Sequence, residues 1–141
     1  MVDNFNLDPA FANQELKIGE LNLCYLLLSD NALFPWVILV PKRNNIKEII
    51  DLDQTDQYLL IDEINLVSQT MKELFIPDKL NVAALGNIVS QLHIHIIARY
   101  KNDKAWPYAV FGKEDQKYNP VIRKEIISRI QDSLTLKTSL L

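Results

Sequence analysis

The run Gln91-Leu-His-Ile-His-Ile-Ile97 holds the only two histidines of the chain, two residues apart among apolar neighbours. Successive side chains of a β-strand point to opposite faces. This spacing therefore predicts a strand on which Gln91, His93 and His95 line one face, with Leu92, Ile94 and Ile96 on the other. The apolar face belongs in a core and the polar face in a cleft or in solvent. Side chains on one face recur about every 7 Å, which makes a linear row of three nitrogen-bearing groups. A chain built around such a strand has to cover one face of its sheet and leave part of the other open.

The rest of the pattern supplies that sheet and its cover. Leu21 to Leu28 and Trp36 to Val40 read as strands separated by turn residues at Ser29-Asp-Asn31, pairing antiparallel. The second is expected to be buried on both faces. Leu80 to Leu85 reads as a third strand, broken by Gly86-Asn87, and Ile88-Val-Ser90 leads into a fourth over Gln91 to Tyr100. The strongest helical pattern spans Asp53 to Phe75, where Leu60, Ile64, Val67, Met71 and Leu74 form one apolar stripe. Pro77 ends it. Leu7 to Asn13 predicts a short helix capped by Asp8, with Pro9 in its first turn. Lys101 to Asn119 reads as an irregular loop, and Pro120 opens a C-terminal helix striped by Ile122, Ile126, Ile130 and Leu134. Without regular strand–helix–strand alternation, the sum is α+β: an antiparallel sheet with the long helix packed on one face. The 141 residues suit one domain, 1–141.

Several function classes are disfavoured. A net charge of -3 argues against a nucleic-acid partner, although Pro41-Lys-Arg43 is locally basic. The single cysteine, Cys24, cannot form an intrachain disulfide and reads as a small buried hydrophobe. The start of the chain lacks a signal pattern. No apolar run approaches the roughly 18 residues of a membrane span, so a cytoplasmic location without a membrane partner is expected. The three glycines, Gly19, Gly86 and Gly112, cannot build either common glycine-rich phosphate loop. Any phosphate must be held another way. Gly86-Asn87 suits a tight turn, a phosphate cradle, or both. Trp36 is expected in the core, and Trp106 at a pocket or interface.

An imidazole with a pKa near neutrality can serve as nucleophile, general acid or base, or donor to an anion. Attack on phosphorus gives a reactive phospho-imidazole that water can open, while a neighbouring donor holds the phosphate oxygens. Two other readings of the pair stand beside this one. It can be inert and hydrogen-bonded, or it can hold a metal, with a carboxylate such as Asp30 as third ligand.

The segment Gln91 to Ile97 resembles the signature of the histidine triad (HIT) family, three histidines alternating with apolar residues and followed by two more apolar positions. Leu92, Ile94, Ile96 and Ile97 match the apolar positions, His93 and His95 match the second and third histidines, and Gln91 stands at the first. Phe34 to Pro41, Leu80 to Gly86 and Ala105-Trp-Pro107 are similar to flanking family segments in order and spacing, over roughly residues 15–110. Residues 111–141 add a C-terminal loop and helix. As a whole the chain resembles a bacterial, diadenosine-polyphosphate hydrolase-like branch. The resemblance implies a hydrolase or nucleotidyl transferase that cleaves a nucleoside polyphosphate or phosphoramidate at the α-phosphorus. His93 would be the nucleophile, His95 would contact phosphate oxygens or leaving group, and Gln91 would buttress the site by hydrogen bonds. Asn81, Asn87 and Ser90 would lie at the phosphate, and Asp30 or Asn31 at the ribose. It further implies an adenosine-type nucleotide, a homodimer and no built-in cofactor or metal. Because glutamine cannot act as acid or base, the resemblance also leaves room for a nucleotide-binding module with little turnover.

Overall fold

The computed structural model describes residues 4–138; residues 1–3 and 139–141 of the expected 1–141 domain lie outside them. The strands are β1 (Lys17–Glu20), β2 (Cys24–Leu28), β3 (Trp36–Pro41), β4 (Lys79–Ala83) and β5 (Ile94–Arg99), with helices α1 (Gln54–Phe75) and α2 (Pro120–Thr135). They form one antiparallel sheet in the order β1-β2-β3-β5-β4. The α+β expectation holds.

The sheet has one more strand than the sequence reading gave. β1, Lys-Ile-Gly-Glu, has charged ends and buries only Ile18, so it has no apolar alternation to announce it. Its place at an edge explains both features, because charge there discourages pairing with another chain. β2 starts at Cys24 rather than Leu21 because the preceding residues turn: the Leu21 N–H donates to the Cys24 carbonyl at 2.8 Å. The carboxylate of Glu63 on α1 accepts the N–H groups of Leu23 and Cys24 at 2.8 and 2.9 Å. Glu63 is 5% exposed. A buried charge of this kind is tolerated when its oxygens are hydrogen-bonded.

α1 follows its stripe. Leu60, Ile64, Val67 and Met71 are buried and Leu74 half-buried. Fully burying one such side chain contributes about 2 kcal/mol. Asp53 caps the helix through the Asp56 N–H at 2.8 Å, and Ile76 ends it in the left-handed region, φ 45°. The stripe packs on the sheet face carrying Leu26, Leu39, Ile94 and Ile96, and the buried Ile130 and Leu134 of α2 join the same core. Ile122, at the exposed start of α2, falls outside it.

The other sheet face carries a smaller cluster of Phe34, Ile97, Ala105 and Val110. There Arg99, 2% exposed, donates to Asp103 at 2.8 and 3.1 Å, to the Asn81 amide oxygen at 2.8 Å and to the Tyr108 carbonyl at 2.8 Å. This cluster braces the irregular segment after β5 and leaves the open part of the face around His95. No helix among the described residues is long and apolar enough to cross a membrane.

Candidate active site

β5 begins at Ile94, so only His95 of the expected row lies within the strand. The lead-in bonds elsewhere: the Leu92 N–H donates to the Ile46 carbonyl at 2.9 Å, in the loop beyond β3. The linear array is corrected accordingly. The two histidine rings sit edge to face, centroids 4.8 Å apart, and both are buried. The Gln91 side chain engages residues 6 and 8 instead.

Hydrogen bonds fix which ring nitrogen carries each proton. His93 Nδ1 lies 2.7 Å from the Gln91 carbonyl oxygen. A carbonyl only accepts, so Nδ1 is protonated and Nε2 keeps its lone pair. For His95 the order is reversed. The Trp36 indole N–H, which only donates, reaches His95 Nδ1 at 3.0 Å. The proton of neutral His95 therefore sits on Nε2. Burial pushes its pKa down to about 4, helped by the neighbouring His93; the Leu85 backbone opposes this. Phe111 and Trp36 pack against the His95 ring at 4.9 and 5.5 Å.

One cleft is lined by His93, and a second is lined by neighbours of the pair. The first, of about 160 Å³, is lined by Gly86, Asn87, Ser90, His93, Lys47 and Glu48. Gly86 is needed there, because an added Cβ would lie 2.8 Å from the Val89 carbonyl oxygen and 3.8 Å from His93 Cε1. The other, of about 220 Å³, is lined among others by Phe11, Leu28, Asp30, Ile38 and Lys117. Phe11 links it to His93, the rings being 4.8 Å apart, and Ile38 pairs across the sheet with His95. Each is smaller than the roughly 300 Å³ of a small drug-sized pocket, a size for one part of a divided ligand. A larger depression of about 590 Å³ contains neither histidine, and its Arg43 and Lys42 are already paired with Asp56 and Glu20, each at 2.7 Å.

The sequence-derived candidates divide clearly. His93, Asn87 and Ser90 share the polar cleft, and Asp30 lies in the second one, where its carboxylate accepts the Tyr118 N–H at 2.9 Å. Asn31 is buried and its amide oxygen takes the Leu33 N–H at 3.0 Å. Asn81 is held by Arg99, and Trp106 lies over the same guanidinium, 5.8 Å from its ring centre. None of these three lines either cleft. Trp36, expected as core, is half-buried and serves His95. Phe11, Phe111 and Lys47 were missed, since only tertiary packing brings them here. Among the described residues no three His, Cys, Asp or Glu side chains cluster so as to hold a metal ion.

The comparisons agree with this geometry. The HIT domain family model matches residues 10–102. The chain is similar to a histidine triad protein from Marinobacter aquaeolei VT8, with 41% identity over 96% of this chain and 100% of that one, TM-score 0.90. It is also similar to one from Bradyrhizobium japonicum, with 40% identity over 94% and 99%, TM-score 0.89. Plasmodium falciparum diadenosine triphosphate hydrolase shares the fold at 19% identity, over 97% of this chain and 88% of that one, TM-score 0.70. No curated protein matches the sequence. The chain belongs to the histidine triad (HIT) domain family.

Proposed function

We propose that this protein cleaves nucleoside polyphosphates, adenosine type, at the α-phosphorus through a nucleotidyl intermediate on His93. The observation that carries the reading is the 2.7 Å contact from His93 Nδ1 to the Gln91 carbonyl, which leaves the lone pair on Nε2 of a histidine that lines the polar cleft.

Attack by Nε2 forms a P–N bond, and the bond from phosphorus to the leaving group breaks with its electron pair. The ring then carries positive charge, which the Gln91 carbonyl stabilises through Nδ1–H. His95 Nε2–H donates to a phosphate oxygen. Asn87, Ser90 and Lys47 offer further donors around the phosphates, and Phe11 and Asp30 flank the cleft for base and ribose. Water then attacks phosphorus, the P–N bond breaks, and nucleoside monophosphate leaves.

His95 also bears on the leaving group. Its Nδ1 is occupied by Trp36, and its pKa is pushed down to about 4, so near neutrality it is a donor and not a strong acid. Polyphosphate departs as a stable anion, whereas the amine of a phosphoramidate needs a proton. The dinucleoside polyphosphate-like branch, with Gln91 at the first triad position, is the better fit. A homodimer belongs to the same reading: β4 is an edge strand with Val82 49% exposed, and α1 shows Tyr58 and Ile61 to solvent.

A second reading, a nucleotide-binding module with little turnover, draws on the Gln91 side chain, which is turned to the N-terminal segment. Turnover of diadenosine polyphosphates and an adenosine phosphoramidate separates the two, measured after zinc stripping and magnesium restoration, for wild type and His93→Ala. Polyphosphate turnover that is lost in His93→Ala, with a trapped adenylate adduct on the wild type, is the expected result. Tight nucleotide binding by folded wild type without product or adduct would select the binding module. Activity lost on stripping and restored by zinc would overturn the mechanism.

A further inference from the structure

We infer that the Gln91 side chain is a positioning residue that seats the N-terminal segment, residues 4–11, so that Phe11 becomes a wall shared by His93 and the adjoining cleft. The Gln91 amide oxygen accepts the Asp8 N–H at 2.8 Å and its nitrogen donates to the Asn6 carbonyl at 2.9 Å. Asn44 repeats the pattern, accepting the Asn6 N–H at 2.9 Å and donating to the Asn4 carbonyl at 2.6 Å. In extended backbone, alternate residues present their N–H and C=O on one edge. Two side-chain amides thus take the place of a neighbouring strand along residues 4–8. A glutamine amide carries donor and acceptor on one carbon and matches the carbonyl of one residue and the N–H two residues on. An imidazole, with its nitrogens on different sides of the ring, does not.

The grip passes directly to the site. Asp8 caps the turn Pro9–Phe11 by accepting the Ala10 N–H at 2.9 Å, and the Phe11 N–H returns to the Asp8 carbonyl at 2.9 Å. Phe11 then packs on His93, whose Nδ1 is held by the carbonyl of Gln91 itself. Gln91 therefore holds the nucleophile with its backbone and the cleft wall with its side chain.

The inference rests on the proposed function only for its kinetic readout. Gln91→Met, Phe11→Ala and the double variant are compared on a diadenosine polyphosphate, with hydrogen exchange measured on a peptide spanning residues 5–11. Losing the two hydrogen bonds is expected to raise KM about tenfold with little change in kcat, and to speed exchange. The double variant is expected to be no worse than Phe11→Ala, since both act through one wall. Gln91→Glu, which keeps the acceptor for Asp8 and loses the donor to Asn6, falls between and carries the test if Gln91→Met does not fold. A fall in kcat at constant KM, additive effects, or unchanged exchange would overturn the inference. If folded wild type turns nothing over, the Kd for adenosine monophosphate replaces KM in the same cycle. A tenfold weakening would then uphold the inference while the catalytic reading fails, and an unchanged Kd would sink it.

Discussion

Trp36 donates its indole N–H to His95 Nδ1 at 3.0 Å, and so decides the tautomer of a histidine it meets only through the β3–β5 pairing. Trp36→Phe keeps an aromatic ring and removes the donor, so that only the Leu85 backbone still favours the Nε2–H form. Nitrogen NMR should show His95 changing from the pure Nε2–H form to a mixture. Turnover should fall by about tenfold, less than the roughly hundredfold or more that complete loss of a positioned proton-bearing group costs, because His95 keeps the aligned tautomer part of the time. An unchanged tautomer would mean that Trp36 is a packing residue only.

Stability should fall on mild acidification. His95 has its folded pKa pushed down to about 4 from an ordinary 6.5, so below 6.5 the unfolded chain takes up a proton that the folded ring refuses. The loss runs from about pH 6.5 to about 4 and then levels off. Asp103 adds a later loss: burial raises its pKa, but Arg99 and the N–H groups of Tyr100, Ala105 and Trp106 more than offset this and hold it well below the carboxylate range. Its contribution is present above the ordinary carboxylate pKa and disappears at more acidic pH. Urea unfolding between pH 7 and 3 should show the first phase and the onset of the second, and His95→Phe should flatten only the first.

Gly86→Ala places a methyl 2.8 Å from the Val89 carbonyl oxygen. Backbone has to move to admit it, at roughly 1–3 kcal/mol for overpacking. The same loop lines the polar cleft beside His93, so nucleotide affinity should drop together with the melting temperature. Wild-type affinity in this variant would show that the loop adapts freely.

Arg99→Met should destabilise the fold by roughly 3–5 kcal/mol, the range for leaving one buried charge unpaired. Asp103, at 4% exposure, would lose its counter-charge and keep only the N–H groups of Tyr100, Ala105 and Trp106, and the Tyr108 carbonyl and Asn81 amide oxygen would lose a donor. Arg99→Lys should recover little, because an ammonium lacks the fork that meets these acceptors at once. Chemical denaturation measures both.

In the homodimer reading, Val82→Lys at the exposed sheet edge should lower the mass seen by sedimentation without unfolding the chain. A wild-type monomer at all concentrations would remove that reading.

The sequence revealed those parts whose pattern is local. The α1 stripe, its Asp53 cap and the apolar alternation around His93 and His95 are each written in consecutive residues. What stayed hidden depends on partners remote in sequence. β1 has one apolar residue and looks like a loop until β2 pairs with it. Trp36 looks like core because its neighbours are, and nothing in the sequence tells its indole N–H to find His95. Gln91 appeared as the third member of a row, yet its amide is claimed by Asn6 and Asp8 from the far end of the chain. Asn81 fell on the right strand and is drawn off by Arg99, whose own burial no hydropathy pattern announces.

Glu63 gives the helix a fixed address. An apolar stripe can slide along an apolar sheet at small penalty, since one methyl group substitutes for another. A carboxylate that must meet two particular N–H groups, those of Leu23 and Cys24, has one acceptable position. Shifting α1 by a turn would orphan both donors and bury a bare charge. This buried acid beside the stripe thus sets the spacing of sheet and helix as a dowel sets two boards, and an apolar replacement would trade that alignment for a greasier interface free to drift.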